Sequence, residues 1–223
     1  MRINLDKRGL HTLVVLFLVL FSINPTFANE GIDQFKTFLS SVENAEGDFS
    51  QQQIRPPRKG EDKPKILRKS QGHFIFQRPG KFVWETLKPF EQKVIADGEK
   101  ITLWDKDLNQ VTIRSAGQSL QLTPAAILFS GVAVEEKFEL ISGEEKGELF
   151  WFELRPKSQV SGEQPYSRIG IGMANGVPAC IELHDNFGNV ILITLSKIRV
   201  NASLSGQTFK FVPPPGADVL KVQ

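Results

Sequence analysis

The strongest constraint on the fold is a two-residue alternation of apolar side chains that recurs in short segments along most of the chain. Phe74 and Phe76 lie two residues apart in one segment, and Phe82 and Trp84 do the same in the next. Gly, Pro and Asp residues separate the segments, as in the turn at Asp97-Gly98. Short strands with turn signals at close spacing are typical of an antiparallel meander. We therefore predict one large, twisted antiparallel sheet.

The strand pattern resumes in the second half of the chain. The predicted strands there are Leu149–Leu154, Tyr166–Met173, Ala179–His184, Val190–Ile198 and Thr208–Val212. The run Pro213–Gly216 is predicted to end the sheet, because proline cannot donate a hydrogen bond to a strand ladder. Residues 55–65 are charged and lack apolar periodicity, which favours a solvated loop between two strands over a docking patch.

Two segments interrupt this pattern with helical features. Ile32, Phe35, Phe38, Leu39 and Val42 have helical spacing and predict an amphipathic helix that ends near residues 44–47. Thr123-Pro124 is a good helix start, and a short apolar helix over Ala125–Phe129 should follow, with a weaker helical segment near Val132–Phe138. Both apolar faces are buried most simply against the concave side of a curled sheet.

The interior of such a sheet can be filled or left as a cavity, and the pattern alone allows both. Phe74, Phe76, Phe82 and Trp84 have the alternation needed to line one face. Side chains from the helical segments could cover that face, and the candidates are Phe35, Phe38, Ile127 and Leu128. A closed core made of the same residues is the alternative, since apolar stripes usually pack a core.

The first 28 residues are typical of an export signal. Arg2, Lys7 and Arg8 precede an unbroken apolar run over Leu13–Phe21, and Thr26-Phe27-Ala28 places small residues for cleavage after Ala28. The run is short for a membrane span, which needs about 20 apolar residues. An uncleaved N-terminal anchor is the alternative. We predict a cleavable signal peptide over 1–28 and a single domain over 29–223.

Charge argues against nucleic acid as a partner. Residues 1–28 contain three of the 27 Lys and Arg residues and one of the 25 Asp and Glu residues, which leaves 24 of each sign in the predicted mature part. A neutral domain lacks the basic footprint that phosphate backbones require. Its net charge also gives it no strong attraction to anionic membranes.

The sequence contains no motif of catalysis or metal binding. His73 and His184 have no further ligand residues at metal-binding spacing, and no nucleophile elbow, phosphate loop or dinucleotide fingerprint occurs. The single cysteine, Cys180, lies in an apolar stretch and is expected to be a buried, inert thiol. We therefore expect neither an enzyme nor a cofactor, although a triad assembled from scattered residues is an alternative that motifs do not exclude.

Several segments, in order, resemble the LolA family of periplasmic carriers, which take lipoproteins from the inner to the outer membrane. The run Gly72–Glu85, GHFIFQRPGKFVWE, resembles the signature stretch of that family. The other matches are Phe49-Ser50-Gln51, Ile95–Gly98, Asn109–Thr112, Thr123-Pro124 with Ile127 and Leu128, and Phe209–Pro214 with Gly216–Val219. Together they span most of the predicted mature chain.

The resemblance implies a mainly β fold, an unclosed β-barrel covered by an α-helical lid. It implies a monomeric periplasmic carrier without a cofactor. The cargo would be acylated lipoproteins, loaded by an inner-membrane ABC transporter of the LolCDE type and delivered to an outer-membrane receptor of the LolB type. An envelope lipid- or lipoprotein-binding sensor or receptor with the same fold is the alternative function, and an envelope enzyme that acts on lipid is a third class.

Arg78 is the polar residue that this pattern singles out. It continues the even spacing of Phe74 and Phe76, so its side chain should point to the same apolar face. A buried guanidinium must be paired or hydrogen-bonded, and lid carbonyls could serve. The resemblance implies that Arg78 latches the lid in the empty carrier. The alternative is a surface arginine before a proline turn.

Overall fold

The structure is a computed structural model that describes residues 29–116, 134–157 and 165–222. Its helices are α1 (Glu30–Ser41) and α2 (Val134–Lys137). Its strands are β1 (Asn44–Arg55), β2 (Lys65–Gln77), β3 (Lys81–Lys88), β4 (Gln92–Asp97), β5 (Lys100–Asp105), β6 (Gln110–Ser115), β7 (Phe138–Lys146), β8 (Leu149–Pro156), β9 (Arg168–Ala174), β10 (Val177–His184), β11 (Val190–Val200) and β12 (Asp218–Val222).

All of these strands belong to one sheet in the order β12-β6-β5-β4-β3-β2-β1-β11-β10-β9-β8-β7. Neighbouring strands pair antiparallel from β6 to β7 through the middle of the sheet, and only β12 pairs parallel, with β6. The edge strands β12 and β7 do not pair with each other, so the curled sheet is an unclosed barrel. This confirms the predicted fold class.

Helix α1 covers the concave face of the sheet, as its spacing predicts. It begins two residues before Ile32 and ends at Ser41, so the predicted end near residues 44–47 is wrong, because β1 already begins at Asn44. The ring of Phe35 lies 5.0 Å from the ring of Phe152 on β8. A Cβ atom at Gly31 would lie 2.7 Å from the carbonyl oxygen of Phe150, so only glycine lets the helix approach β8 this closely. The helix is thus held against the β8 side of the sheet.

A strap of residues 201–217 runs over the convex face between β11 and β12. Its Phe209 is buried with Val83 and Ile95, whose side chains point away from the concave core, and its Phe211 packs against the same cluster. The predicted strand Thr208–Val212 is therefore wrong. The alternating apolar side chains of this segment pack onto the face of the sheet, and its backbone does not pair with a neighbouring strand.

The predicted end of the sheet at Pro213–Gly216 is also wrong. Beyond these residues the chain forms β12, which pairs with β6 from Asp218 opposite Gln110 to Val222 opposite Arg114. The prolines lie in the strap, where no strand ladder forms, and a new strand begins after Gly216, whose φ of +75° allows the turn.

Other predictions meet the structure in part. The segment Tyr166–Met173 becomes β9 over Arg168–Ala174, and the weak helix near Val132–Phe138 appears as α2. Residues 56–64 form an exposed loop, as predicted. The predicted signal peptide and the predicted lid helix at Ala125–Phe129, with Ile127 and Leu128, lie outside the described residues. Within the described ranges, no helix is long and apolar enough to cross a membrane.

Gly72 offers a test of the pairing between β2 and β3. A Cβ atom at this position would lie 1.8 Å from the carbonyl oxygen of Glu85, so Gly72→Ala must push the two strands apart. We expect the free energy of unfolding to fall by about 3 kcal/mol. Gly206→Ala is the control, because its Cβ would meet no atom within 4 Å. Equal urea midpoints for both variants would contradict this register.

Candidate functional site

The candidate site is the apolar concave face of the sheet beneath α1. Of the predicted lining residues, Phe74, Phe76 and Phe82 are all buried here, and Phe35 and Phe38 meet them from the helix; none of the five is more than 3 % exposed. Trp84 is partly buried and packs against the same cluster. The structure therefore brings together six of the eight predicted lining residues, while Ile127 and Leu128 lie outside its described ranges.

An aromatic stack that the sequence did not assign to the site lies on β1 and β3. The ring of Phe49 stacks on Trp84 with centroids 3.9 Å apart, and Phe74 lies 6.2 Å from Trp84 on the other side. Phe49 faces Gly72 across the strand pair, and the missing side chain of that glycine makes room for its ring. The alternation of Ala45 and Phe49 with polar neighbours was the available signal.

The opposite half of the concave face is aliphatic, and sequence reasoning used its residues for strand prediction only. Strands β9, β10 and β11 contribute side chains that are all buried in the same core. They are Ile169, Ile171, Met173, Ile181, Leu183, Ile193 and Leu195. The face thus offers aromatic rings on β1–β3 and branched or flexible aliphatic groups on β9–β11. Within the described ranges Arg55 is the only buried charged residue, and it lies outside this core cluster.

Arg78 lies at one end of this face, directly after β2. Its Nη1 donates a hydrogen bond to the carbonyl oxygen of Val42 and a longer one, of 3.5 Å, to that of Phe38. These carbonyls belong to the C-terminal end of α1, which has no basic residue in its last turn. A cation there interacts favourably with the helix dipole. Arg78 supplies that charge from the neighbouring hairpin.

Two aromatic rings complete the surroundings of Arg78. Its guanidinium carbon lies 5.0 Å from the centroids of both Phe38 and Phe76, and these two rings meet edge to face at 6.2 Å. Burial lowers the pKa of Arg78 to about 10, because a poorly solvated guanidinium is less stable in its charged form. Arg78 is still protonated at neutral pH. We name Arg78, Phe38 and Phe76 the Arg78 cluster.

A second polar contact holds the same end of α1. Asn201, which follows β11, donates from Nδ2 to the carbonyl oxygen of Ser41 at 3.0 Å, and its Oδ1 accepts from the amide of Glu43 at 2.8 Å. Its backbone has φ +52°, a conformation that asparagine tolerates better than most residues. The helix end is therefore fixed from β2 by Arg78 and from β11 by Asn201.

One part of the convex face, over β1, β2 and β11, is polar and offers different chemistry. A shallow groove there is lined by residues of β1, β2, β3 and β11. Asp48 lies 2.7 Å from Lys197 Nζ and 2.5 Å from His73 Nδ1, and both contacts lower the pKa of its carboxyl group. The charges of Asp48 and Lys197 neutralise each other. Across the described residues there is no group of three or more His, Cys, Asp or Glu residues that could hold a metal.

Cys180 is buried on β10, as the sequence predicts. Burial raises the pKa of its thiol to about 11, and the neighbouring charge of Glu182 adds to the shift. A thiol with this pKa is almost fully protonated at neutral pH and is a poor nucleophile. The surroundings of Cys180 therefore favour a structural role.

Comparison with known proteins shows which family this chain resembles. A family model described as outer membrane lipoprotein carrier protein LolA matches residues 40–212. The outer-membrane lipoprotein carrier protein of Cupriavidus pinatubonensis is 40% identical over 216 residues, which are 96% of this chain and 99% of the relative. The protein of the same name from Ralstonia nicotianae is 42% identical over 190 residues, 85% of this chain and 86% of the relative.

A solved structure shares the fold at much lower identity. It is an uncharacterized conserved protein from Thermus thermophilus, with a TM-score of 0.55 and 12% identity, and the match covers 87% of this chain and 99% of that protein. This likeness shows the fold alone. The family model and the two carrier proteins cover most of the sequence, including the strands that build the concave face. The chain belongs to the LolA family of outer membrane lipoprotein carrier proteins.

Proposed function

We propose that this protein carries acylated lipoproteins across the periplasm. It would accept them from an inner-membrane ABC transporter of the LolCDE type, shield their acyl chains under α1, and deliver them to an outer-membrane receptor of the LolB type. In this proposal residues 1–28 are a cleaved signal peptide and residues 29–223 form one domain that acts as a monomer. The single observation that carries the proposal is the apolar concave face covered by one short helix.

The energetics explain why a carrier needs such a face. Each methylene group that leaves water contributes about 0.8 kcal/mol, so an acyl chain of ordinary length contributes on the order of 10 kcal/mol. A lipoprotein with several chains cannot remain dispersed in water without an apolar partner. The aromatic half on β1–β3 and the aliphatic half on β9–β11 supply that surface, and neither adds a buried charge that would repel the chains.

Cargo release requires that the empty carrier compete for the same surface. In the structure, α1 lies over the concave face and the Arg78 cluster holds its C-terminal end. Acyl chains that enter there would displace Phe38 and break the carbonyl contacts of Arg78. The closed arrangement then reforms when the chains leave. Loaded and closed states are thus alternatives whose populations depend on cargo.

A release assay tests the carrier function. Membrane vesicles that contain the transporter and a labelled triacylated lipoprotein would receive ATP and the purified protein. We expect the lipoprotein to appear in the supernatant as a one-to-one complex, and only with ATP. If it stays in the vesicles with a transporter from the same organism, the carrier proposal fails. A lipid-binding sensor or receptor role would then be the next hypothesis.

Arg78→Leu separates loading from delivery. Loss of the carbonyl and ring contacts should favour the loaded state, so loading should stay within about twofold while transfer to the receptor slows about tenfold or more. The variant should stay folded, because removal of a half-buried charge is often neutral or stabilising. Arg155→Leu, at an exposed arginine on β8, is the control and should transfer normally. Normal transfer by Arg78→Leu would exclude the latch.

The two faces of the sheet can be compared through their tryptophans. Trp84 lies on the concave face against Phe49, whereas Trp151 lies on the convex face against Gly172. We expect Trp84→Ala to weaken the binding of a fluorescent fatty-acyl probe about tenfold, because it removes concave apolar area. Trp151→Ala should change the affinity less than about twofold. Equal losses in titrations of both variants would argue against a concave acyl site.

A further inference from the structure

One end of the sheet collects four hairpin turns, and we name it the hairpin end. The β1–β2, β3–β4, β5–β6 and β10–β11 turns lie there, since Val190 faces Ile54 and Gln92 faces Asp105. Gln71 faces Lys88, so β2 extends six residues beyond the end of β3, to Lys65, and the β1–β2 turn projects farther along the strands than the β3–β4 turn. The Arg78 cluster lies at the other end, where β2 turns into β3. The hairpin end is therefore distinct from the α1 latch.

Three of these turns expose a large apolar side chain. Phe90 in the β3–β4 turn is 63% exposed, Leu108 in the β5–β6 turn is 70% exposed, and Phe187 in the β10–β11 turn is 86% exposed. Phe90 and Phe187 are the only exposed phenylalanines in the described part of the chain. Adjacent turns are two strands apart, which is about 10 Å along the sheet. The apolar tips thus form a spaced row across the strands at one end of the sheet, in which the turn of Phe187 lies farther along the strand direction than the turns of Phe90 and Leu108.

The fourth turn of the row, between β1 and β2, forms a basic segment together with the first residues of β2. The turn itself, residues 56–64, contains three basic and two acidic side chains, and β2 adds Lys65, Arg68 and Lys69; residues 56–69 are all exposed. Arg55 holds Glu61 through two hydrogen bonds, of 2.5 and 2.7 Å, and Glu61 also accepts from the amide of Arg58 at 3.0 Å. These bonds keep the pKa of Glu61 at about 2 and fix the loop. The basic residues are therefore presented on an ordered turn.

This basic turn lies in the row between two apolar tips. The strand order places it between the turn of Phe90 and the turn of Phe187, and its Pro56 lies close to Gly188 in the latter. The sequence alone favoured a solvated loop, because it could not bring these turns to one rim. The predicted mature domain is neutral, and the cations at this end lie in residues 58–69. The turns of Phe90, Leu108 and Phe187 contain Glu91, Asp107 and Asp185 against Lys106 alone.

We propose that the hairpin end docks reversibly on anionic lipid bilayers, with Phe90, Leu108 and Phe187 inserted at headgroup depth and the β1–β2 turn facing anionic lipids. Exposed apolar side chains next to a group of cations are typical of shallow membrane binding. The tips are separated by polar backbone and charge, so they do not form the continuous apolar core of a protein interface. Docking would hold the carrier at the membranes between which it moves.

Vesicle binding tests this proposal without any lipoprotein. The protein, expressed from its full-length sequence and purified from the periplasmic extract, would be sedimented with vesicles of phosphatidylethanolamine containing about one quarter phosphatidylglycerol. We expect weak, salt-sensitive binding that falls about tenfold on phosphatidylcholine vesicles. In Phe187→Trp, tryptophan fluorescence should be quenched by brominated lipid, which places the tip among the acyl chains. Absence of binding to the anionic vesicles would overturn the proposal.

Matched variants locate the contact. The double variant Phe90→Ser/Phe187→Ser should bind the anionic vesicles about tenfold more weakly. Val212→Ser is the control, because Val212 is 84% exposed on the strap between β11 and β12 and should bind as the wild type does. Wild-type binding by the double variant would overturn the proposal, and a loss confined to transporter assays would assign the tips to a protein partner. Cargo release can succeed or fail independently of all these results.

Discussion

The concave face of the sheet cannot be left in water, and the rest of the structure follows from that constraint. In the described part of the chain, strands β1–β3 turn an aromatic half inward and strands β9–β11 an aliphatic half. The sheet does not close on itself, so a separate element must cover the opening. Helix α1 does so with Phe35 and Phe38, both almost fully buried. The same apolar surface that makes the lid necessary is what an acyl chain would occupy.

The two ends of α1 are held by different kinds of contact. Near its start, Gly31 brings the backbone against β8, and Phe35 packs on Phe152. Near its end, Arg78 and Asn201 hold backbone carbonyls by hydrogen bonds. Close packing resists displacement of the helix start. A half-buried guanidinium loses little free energy when it leaves its partners, because water solvates its charge again. We infer that cargo separates the lid from the sheet at the C-terminal end of the helix.

Most of the strands and α1 could be predicted from the sequence, because alternation and helical spacing report directly which side chains are buried. The prediction of a strand in the strap was wrong. Phe209 and Phe211 alternate because they pack on Val83 and Ile95 at the convex face of the sheet. The parallel strand β12 carries no burial pattern, because all five of its residues are exposed. Phe49 was missed as a lining residue, since its role depends on Gly72 in the neighbouring strand.

The distance between α1 and the β4–β5 turn tests the central claim most directly. Nitroxide labels on Ser40→Cys and Glu99→Cys, both at exposed positions, would report this distance by pulsed electron paramagnetic resonance. The buried Cys180 should stay unlabelled. We predict one short distance in the empty protein and an increase of about 5 Å or more in the lipoprotein complex. An unchanged distance in the loaded complex would contradict the account, because the chains would then be held without any opening of the lid.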